Sequence, residues 1–298
     1  MPRSGRAHYG TLSNGSAPRF DSGGARDARP LAAIATSIIR GLYGVACRAL
    51  PQSCVLCTAP SGAALVCDAC EDALPRVAAA CPRCALPSRE GATCAACLAA
   101  PPPFDAAVAA WIYAWPADRL LQALKYGGRL ALAEPFAHAL ARACRHRRGA
   151  VPAAWPDVLV PVPLTPARQR SRGFNQAQEI ARHLGAGLAL PVVRALARVR
   201  DTPPQATLGV PERRASVHGA FAADRCVAGA SVAIVDDVMT TGATLAAAAE
   251  ALRAAGARRI EAWAVARTLA PEPAHPCPID PCSTSCSSTP RFRRTPAT

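Results

Sequence analysis

At 298 residues the chain is too long for a peptide module and long enough for one or two domains with a buried core. Hydrophobic residues make up 51% and aromatics only 5%, so that core must be aliphatic. The net charge of +14 suggests a nucleic-acid partner, but 33 of the 34 basic residues are Arg and one is Lys, Lys125, a ratio that reads as coding bias as much as selection for phosphate contacts.

Residues 1–50 carry +5 and begin with a Gly-, Ser- and Arg-rich stretch expected to be disordered to about residue 29. Leu31, Ile34, Ile38 and Leu42 then recur at helical spacing and predict a short amphipathic helix. Arg40 and Arg48 interrupt its apolar run, which argues against a membrane span, and a secretory signal is a poor fit.

Four C-x-x-C pairs follow over residues 51–101: Cys54/Cys57, Cys67/Cys70, Cys81/Cys84 and Cys94/Cys97. Nine residues separate the first pair from the second, and nine the third from the fourth. Each pair forms a tight knuckle, and two knuckles complete a tetrahedral four-thiolate zinc site. The repeat therefore predicts a double zinc ribbon with two structural zinc ions. Disulfides are the competing reading, but regular pairs without a secretory signal favour metal. Spacing leaves open whether the pairs close in sequence or interleave; closure in sequence is the expectation. With every position filled by sulfur, such sites are architectural rather than catalytic.

From residue 104 onward strands alternate with helices. Strands are expected at Ala106–Tyr113, 158–162, 231–235 and 260–266, and helices at Ala117–Lys125, Leu130–Arg145, 174–184 and 243–255. This order predicts a mostly parallel sheet in an α/β domain, residues 104–270. Residues 104–200 also hold most of the basic excess, +9. After strand 158–162 come Arg168, Arg170, Arg172 and Gly173, where guanidinium forks could neutralise a diphosphate.

The strongest chemical signal is Val-Ala-Ile-Val-Asp-Asp-Val-Met-Thr-Thr-Gly-Ala-Thr at 232–244. Asp236 and Asp237 stand at a strand's carboxyl end, where open α/β sheets bind ligands. Thr240, Thr241, Gly242 and Thr244 turn the chain into a helix whose unsatisfied N–H groups suit a phosphate. Two adjacent carboxylates at ~4 Å and an effective dielectric near 20 repel by ~4 kcal/mol. Sugar hydroxyls, Mg²⁺ or a positive helix end could compensate, so the segment reads as a site for a ribose 5′-phosphate. The bland alternative is an acidic loop capping a helix. Residues 271–298 are rich in Pro, Ser, Thr and Cys and are expected to be a disordered tail.

The 232–244 stretch resembles the phosphoribosyl-pyrophosphate motif of type I phosphoribosyltransferases. Together with the ribbon and with Asp157–Gln178 (D-V-L-V-P-V-P-L-T-P-A-R-Q-R-S-R-G-F-N-Q-A-Q), the chain resembles the ComF family of competence-associated, phosphoribosyltransferase-like proteins. The resemblance implies a type I phosphoribosyltransferase-like parallel sheet flanked by helices. It assigns phosphoribosyl pyrophosphate to Asp236, Asp237, Thr240, Thr241, Gly242 and Thr244, and the pyrophosphate loop to Arg168, Arg172 and Gly173. It makes Arg198–Phe221 a closing loop, with Ser216 where family members often carry Asn, and gives Lys125 a Leu-Lys match of unknown role. It implies Mg²⁺ with the ligand, a cytoplasmic location, a link to natural transformation, and single-stranded DNA or the DNA-uptake machinery as partners. No general base can be named, which leaves catalysis open; the alternative is a ligand sensor or DNA-handling accessory that keeps the site without turnover.

Overall fold

The computed structural model describes residues 52–150, 154–200 and 219–269. The expected N-terminal helix, the interior of the Arg198–Phe221 loop and the C-terminal tail lie outside them. The chain divides into two compact units, one ending at Cys67 and the other beginning at Asp68.

In the first unit β1 (Gln52–Ser53) pairs antiparallel with β2 (Pro60–Gly62). The turn at its first knuckle is closed by Cys54 N–H donating to Ala59 O and Thr58 N–H to Cys54 O, at 2.8 and 2.9 Å. The second unit opens with α1 (Asp68–Asp72), a second knuckle and α2 (Ala95–Ala99). There Cys81 N–H donates to Leu86 O and Ala85 N–H to Cys81 O, again at 2.8 and 2.9 Å. Thr58 and Ala85 occupy the same place in the two turns, and both are left-handed (φ 63° and 57°). The sulfur repeat is thus a repeat of backbone geometry.

The rest of the second unit is an α/β domain. Its elements in order are β3 (Ala106–Ile112), α3 (Ala117–Gly127), α4 (Ala133–Ala150), β4 (Val158–Pro161), α5 (Pro166–Arg172), α6 (Gln176–Leu188), β5 (Leu196–Arg198), β6 (Phe221–Ala223), β7 (Ser231–Met239), α7 (Ala243–Ala254) and β8 (Arg259–Arg267). The four-stranded sheet runs β3-β8-β7-β4, every pair parallel. Its two central strands are near-continuous apolar runs because both faces are covered. Val232, Ile234, Ile260, Ala262 and Ala264 share one buried cluster with Leu245, Ala248, Ala249 and Leu252 of α7. The alternate residues of β8, Glu261 and Trp263, meet Arg148 of α4 instead. Among the described residues no helix is long and apolar enough to cross a membrane.

Two parts of this architecture differ from the expectation. The arginine segment after β4 is a helix, not a loop: Thr165 caps α5 by accepting from Arg168 N–H, and Pro166 holds the first position, where its missing N–H costs nothing. The ends of the Arg198–Phe221 loop are the antiparallel ribbon β5–β6.

Glu261 is 2% exposed and accepts from Arg148 Nη2 (2.9 Å), Trp263 Nε1 (2.9 Å) and Arg259 Nε (3.3 Å). Arg148 also lies over the Trp155 ring at 4.2 Å. Glu261→Ala leaves a buried guanidinium without its anion and is expected to cost about 3–5 kcal/mol. Guanidinium-chloride denaturation checks this: the midpoint should fall while the slope stays constant.

Candidate functional site

β7 does not stop at Val235. It continues through the acidic pair, with Asp236 opposite Ala264, Val238 opposite Ala266 and Met239 opposite Arg267. The turn Thr240–Gly242 follows, and Gly242 caps α7 with a left-handed φ of 81°. The positive φ is what calls for glycine there; a Cβ would lie 3.0 Å from Met239 Cε, the movable end of that side chain.

This turn forms one side of a cavity of about 530 Å³ lined by Asp236, Asp237, Thr240, Gly242 and Thr244, with Arg168 and Arg172 of α5 also on its wall. The two arginines are four residues apart and share a helix face, whereas Arg170 is exposed and does not line the cavity. Thr241 and Gly173 are not on the cavity wall. The Thr241 hydroxyl accepts from Ala243 N–H at 3.3 Å, and Gly173 (φ 75°) ends α5 in the left-handed region. Asn175 lines the cavity, donates to Val162 O (3.0 Å) and caps α6 by accepting from Gln178 N–H (3.3 Å).

A lysine near a helix end, as Lys125 is, stands by default in solvent. Its Nζ instead lies 3.1 Å from Asp237 Oδ2, on the cavity wall, with the side chain only 18% exposed. The pair joins groups far apart in the sequence, so spacing could not reveal it; the one available signal was a single lysine among so many arginines. Tyr113, Tyr126 and Arg198 complete the polar wall, and the Arg172 guanidinium lies 5.2 Å from the Tyr126 ring centre. Burial, and then the neighbouring Asp237 charge, push the Asp236 carboxyl up to about 7 against the pull of Asp237 N–H and Lys125. Asp237 N–H donates to Asp236 Oδ1 at 2.8 Å. The result is an acidic pair, a lysine and two arginines around one polar space, beside backbone donors at a helix start.

The eight cysteines gather as Cys54, Cys57, Cys67, Cys70 and as Cys81, Cys84, Cys94, Cys97, the sulfurs of each set within 4.8 Å of one another. The pairs therefore close in sequence. Each set fits a tetrahedral zinc ion in donor chemistry and number. Knuckle N–H groups already point at sulfur, Cys67 N–H to Cys54 Sγ at 3.4 Å and Cys94 N–H to Cys81 Sγ at 3.3 Å. Burial opposes the Cys54 thiolate, but N–H groups of Cys57, Cys67 and Leu56 outweigh it and bring the thiol down to about 6. The second set is hydrogen-bonded to the main sheet: Ala107 N–H and Arg147 Nη2 donate to Pro82 O (3.0 and 3.2 Å), and Arg267 Nε donates to Cys84 O (2.9 Å).

Residues 156–284 match the phosphoribosyl transferase domain and residues 46–98 the double zinc ribbon domain. The class is therefore a type I phosphoribosyltransferase-like domain preceded by a double zinc ribbon. The chain is 34% identical over 170 residues, 57% of its length and 75% of the relative, to the DNA utilization protein YhgH of Escherichia coli O157:H7. It is 32% identical over 170 residues, 56% of its length and 74% of the relative, to Competence protein F of Haemophilus influenzae. The chain belongs to the family of these two proteins, the ComF family. Likeness to solved structures is slight: a glutamine phosphoribosylpyrophosphate amidotransferase from B. subtilis is 21% identical over 44% of this chain and 25% of its own, with a TM-score of 0.30.

Proposed function

We propose that the cavity binds phosphoribosyl pyrophosphate with Mg²⁺, in a ComF-type protein that serves DNA uptake. The carrying observation is that the acidic pair and the phosphate-type turn share one cavity wall with Arg168 and Arg172. In this reading the 5′-phosphate sits on the Thr240–Thr244 turn, held by backbone N–H groups and threonine hydroxyls. Asp236 and Asp237 take the ribose hydroxyls, and Arg168 and Arg172 face the diphosphate, where planar forks match its oxygens. Thr241 and Gly173 act on the backbone, the Thr241 hydroxyl holding the start of α7 and Gly173 ending α5. Two carboxylates are too few to hold Mg²⁺ alone, so the ion arrives largely on the ligand's own oxygens and waters. Were the bond at C1 to break, the arginines would stabilise the departing diphosphate and the carboxylates the electron-poor sugar, both preorganised before reaction.

Calorimetry with Mg²⁺ and phosphoribosyl pyrophosphate tests the site. The chain should bind, and Asp236→Asn with Asp237→Asn should abolish binding; unchanged affinity would remove the assignment. Pyrophosphate release across a panel of nucleobases and amines, with and without single-stranded DNA, tests turnover.

The DNA link is supported by the names of the relatives, DNA utilization protein and competence protein, and by the +9 charge of residues 104–200. Single-stranded DNA binding should weaken steeply as salt rises, the signature of phosphate neutralisation. A flat salt response would remove the electrostatic part of the proposal. The reducing cytoplasm is the fitting compartment, since it keeps eight thiols available to zinc.

A further inference from the structure

Arg267 ends β8 and is 5% exposed, a buried charge with no carboxylate among its hydrogen-bond partners in the described residues. Among the described residues the acceptors of its Nε and Nη1 are all backbone carbonyls. Nε donates to Cys84 O at 2.9 Å, and Nη1 donates to Met239 O (2.9 Å), Thr240 O and Thr268 O (2.9 Å). One side chain thus joins the backbone of a zinc ligand to the two residues from which the phosphate-type turn springs.

The consequence for the turn follows from peptide planarity. In a trans peptide the N–H points opposite to the C=O. Met239 O is also held by Thr268 N–H at 3.0 Å, so Arg267 shares in setting the Thr240 amide and, through Thr240 O, sets which way the Thr241 amide faces. Those amides lead into the cap at Gly242. The other anchor, Cys84 O, belongs to a knuckle that backbone bonds hold at Cys81, Pro82 and Ala85, while a bound metal would fix Cys84 itself through its sulfur. Loss of the metal would free that carbonyl to shift, and a buried guanidinium that loses an acceptor must re-pair at the expense of its remaining contacts.

We propose that Arg267 is a positioning residue that makes the geometry of the phosphate-type turn depend on zinc at Cys81, Cys84, Cys94 and Cys97. The inference rests on the zinc assignment and extends the ligand reading above. Coupling of this kind is reciprocal: if zinc tightens the turn around a ligand, the ligand must tighten the site around zinc by the same factor.

The test is hydrogen exchange on the full-length chain, followed by mass spectrometry. With both sites loaded, the amides of residues 239–244 should be protected. Cys97→Ser, which removes one ligand of the second site and leaves Cys84 in place, should speed their exchange roughly tenfold. Arg267→Lys, which keeps the charge but not the fork, should show that fast exchange with zinc still bound, and adding Cys97→Ser to it should change the turn no further. Protection of α6, whose hydrogen bonds do not involve Arg267, separates this outcome from global unfolding. Equal exchange of the turn with and without the second zinc, or an Arg267→Lys chain that responds as the wild type does, overturns the proposal.

A second arm measures the equilibrium partition of zinc between the chain and a competing coloured chelator, with and without Mg²⁺ and phosphoribosyl pyrophosphate. Affinity for the second zinc should rise about tenfold with ligand in the wild type and not in Arg267→Lys. Ligand that binds without altering zinc affinity also overturns the proposal. Ligand that fails to bind at all, with the exchange pattern intact, removes only the ligand reading.

Discussion

Asp236→Asn is expected to make the protein more stable, increasingly so as pH rises, while weakening or removing its ligand. In the folded chain the Asp236 carboxyl titrates near 7, against 3.8 as its ordinary value, because burial and the Asp237 charge disfavour ionisation. Between those values the folded state binds a proton that the unfolded state has lost, so stability falls as pH rises through the interval. Above about 7 the loss is complete. Asparagine cannot ionise, and its Oδ1 can still accept from Asp237 N–H as the carboxylate does at 2.8 Å. At about 1.4 kcal/mol per pH unit, the advantage of the variant should grow by about 2 kcal/mol between pH 5.5 and 8. Denaturation of both chains at the two pH values measures it, with proton effects elsewhere cancelling in the difference. An advantage that stays constant with pH would mean that the cost of Asp236 is not one of ionisation. A stabilising change that abolishes binding is what a site built for its ligand predicts.

Zinc removal is the larger perturbation. Between residues 52 and 100 the buried side chains other than cysteine are Val66, Leu74 and Ala85, far too little apolar surface to hold a fold. A structural zinc site contributes on the order of 10–16 kcal/mol. A strong chelator should therefore take the metal content from two zinc ions to none and open residues 52–100 to protease, while the strands of the main sheet remain resistant. Cys54→Ser should leave the second site loaded, at one zinc per chain. A ribbon that stays protease-resistant without metal would mean that contacts other than the thiolates carry it.

Much of this molecule could be read in advance where the signal is local. The sulfur spacing repeats because the knuckle geometry repeats, down to the left-handed residue in each turn. The four parallel strands announce themselves as short apolar runs, and the acidic pair with its threonine turn marks the carboxyl end of one of them. Other features are set by neighbours. Composition ends β7 at Val235, but β8 continues alongside it and keeps pairing as far as Met239, so the carboxylates belong to the strand itself. The arginines of α5 look like a loop because Gly173 follows them; the helix is started by Thr165 and Pro166, whose cap signal was there to be read. Lys125 and Asp237, like Arg267 and Cys84, are joined only by the tertiary fold. Glu261 lies in the otherwise apolar stretch 260–266, and nothing beside it in sequence declares that Arg148 will neutralise it.

The scarcity of lysine has a practical corollary. The amino terminus aside, Lys125 carries the molecule's one primary amine. Reductive methylation with isotope-labelled formaldehyde would therefore plant a single NMR-visible probe beside the acidic pair, an observer of occupancy and proton traffic that requires no mutation.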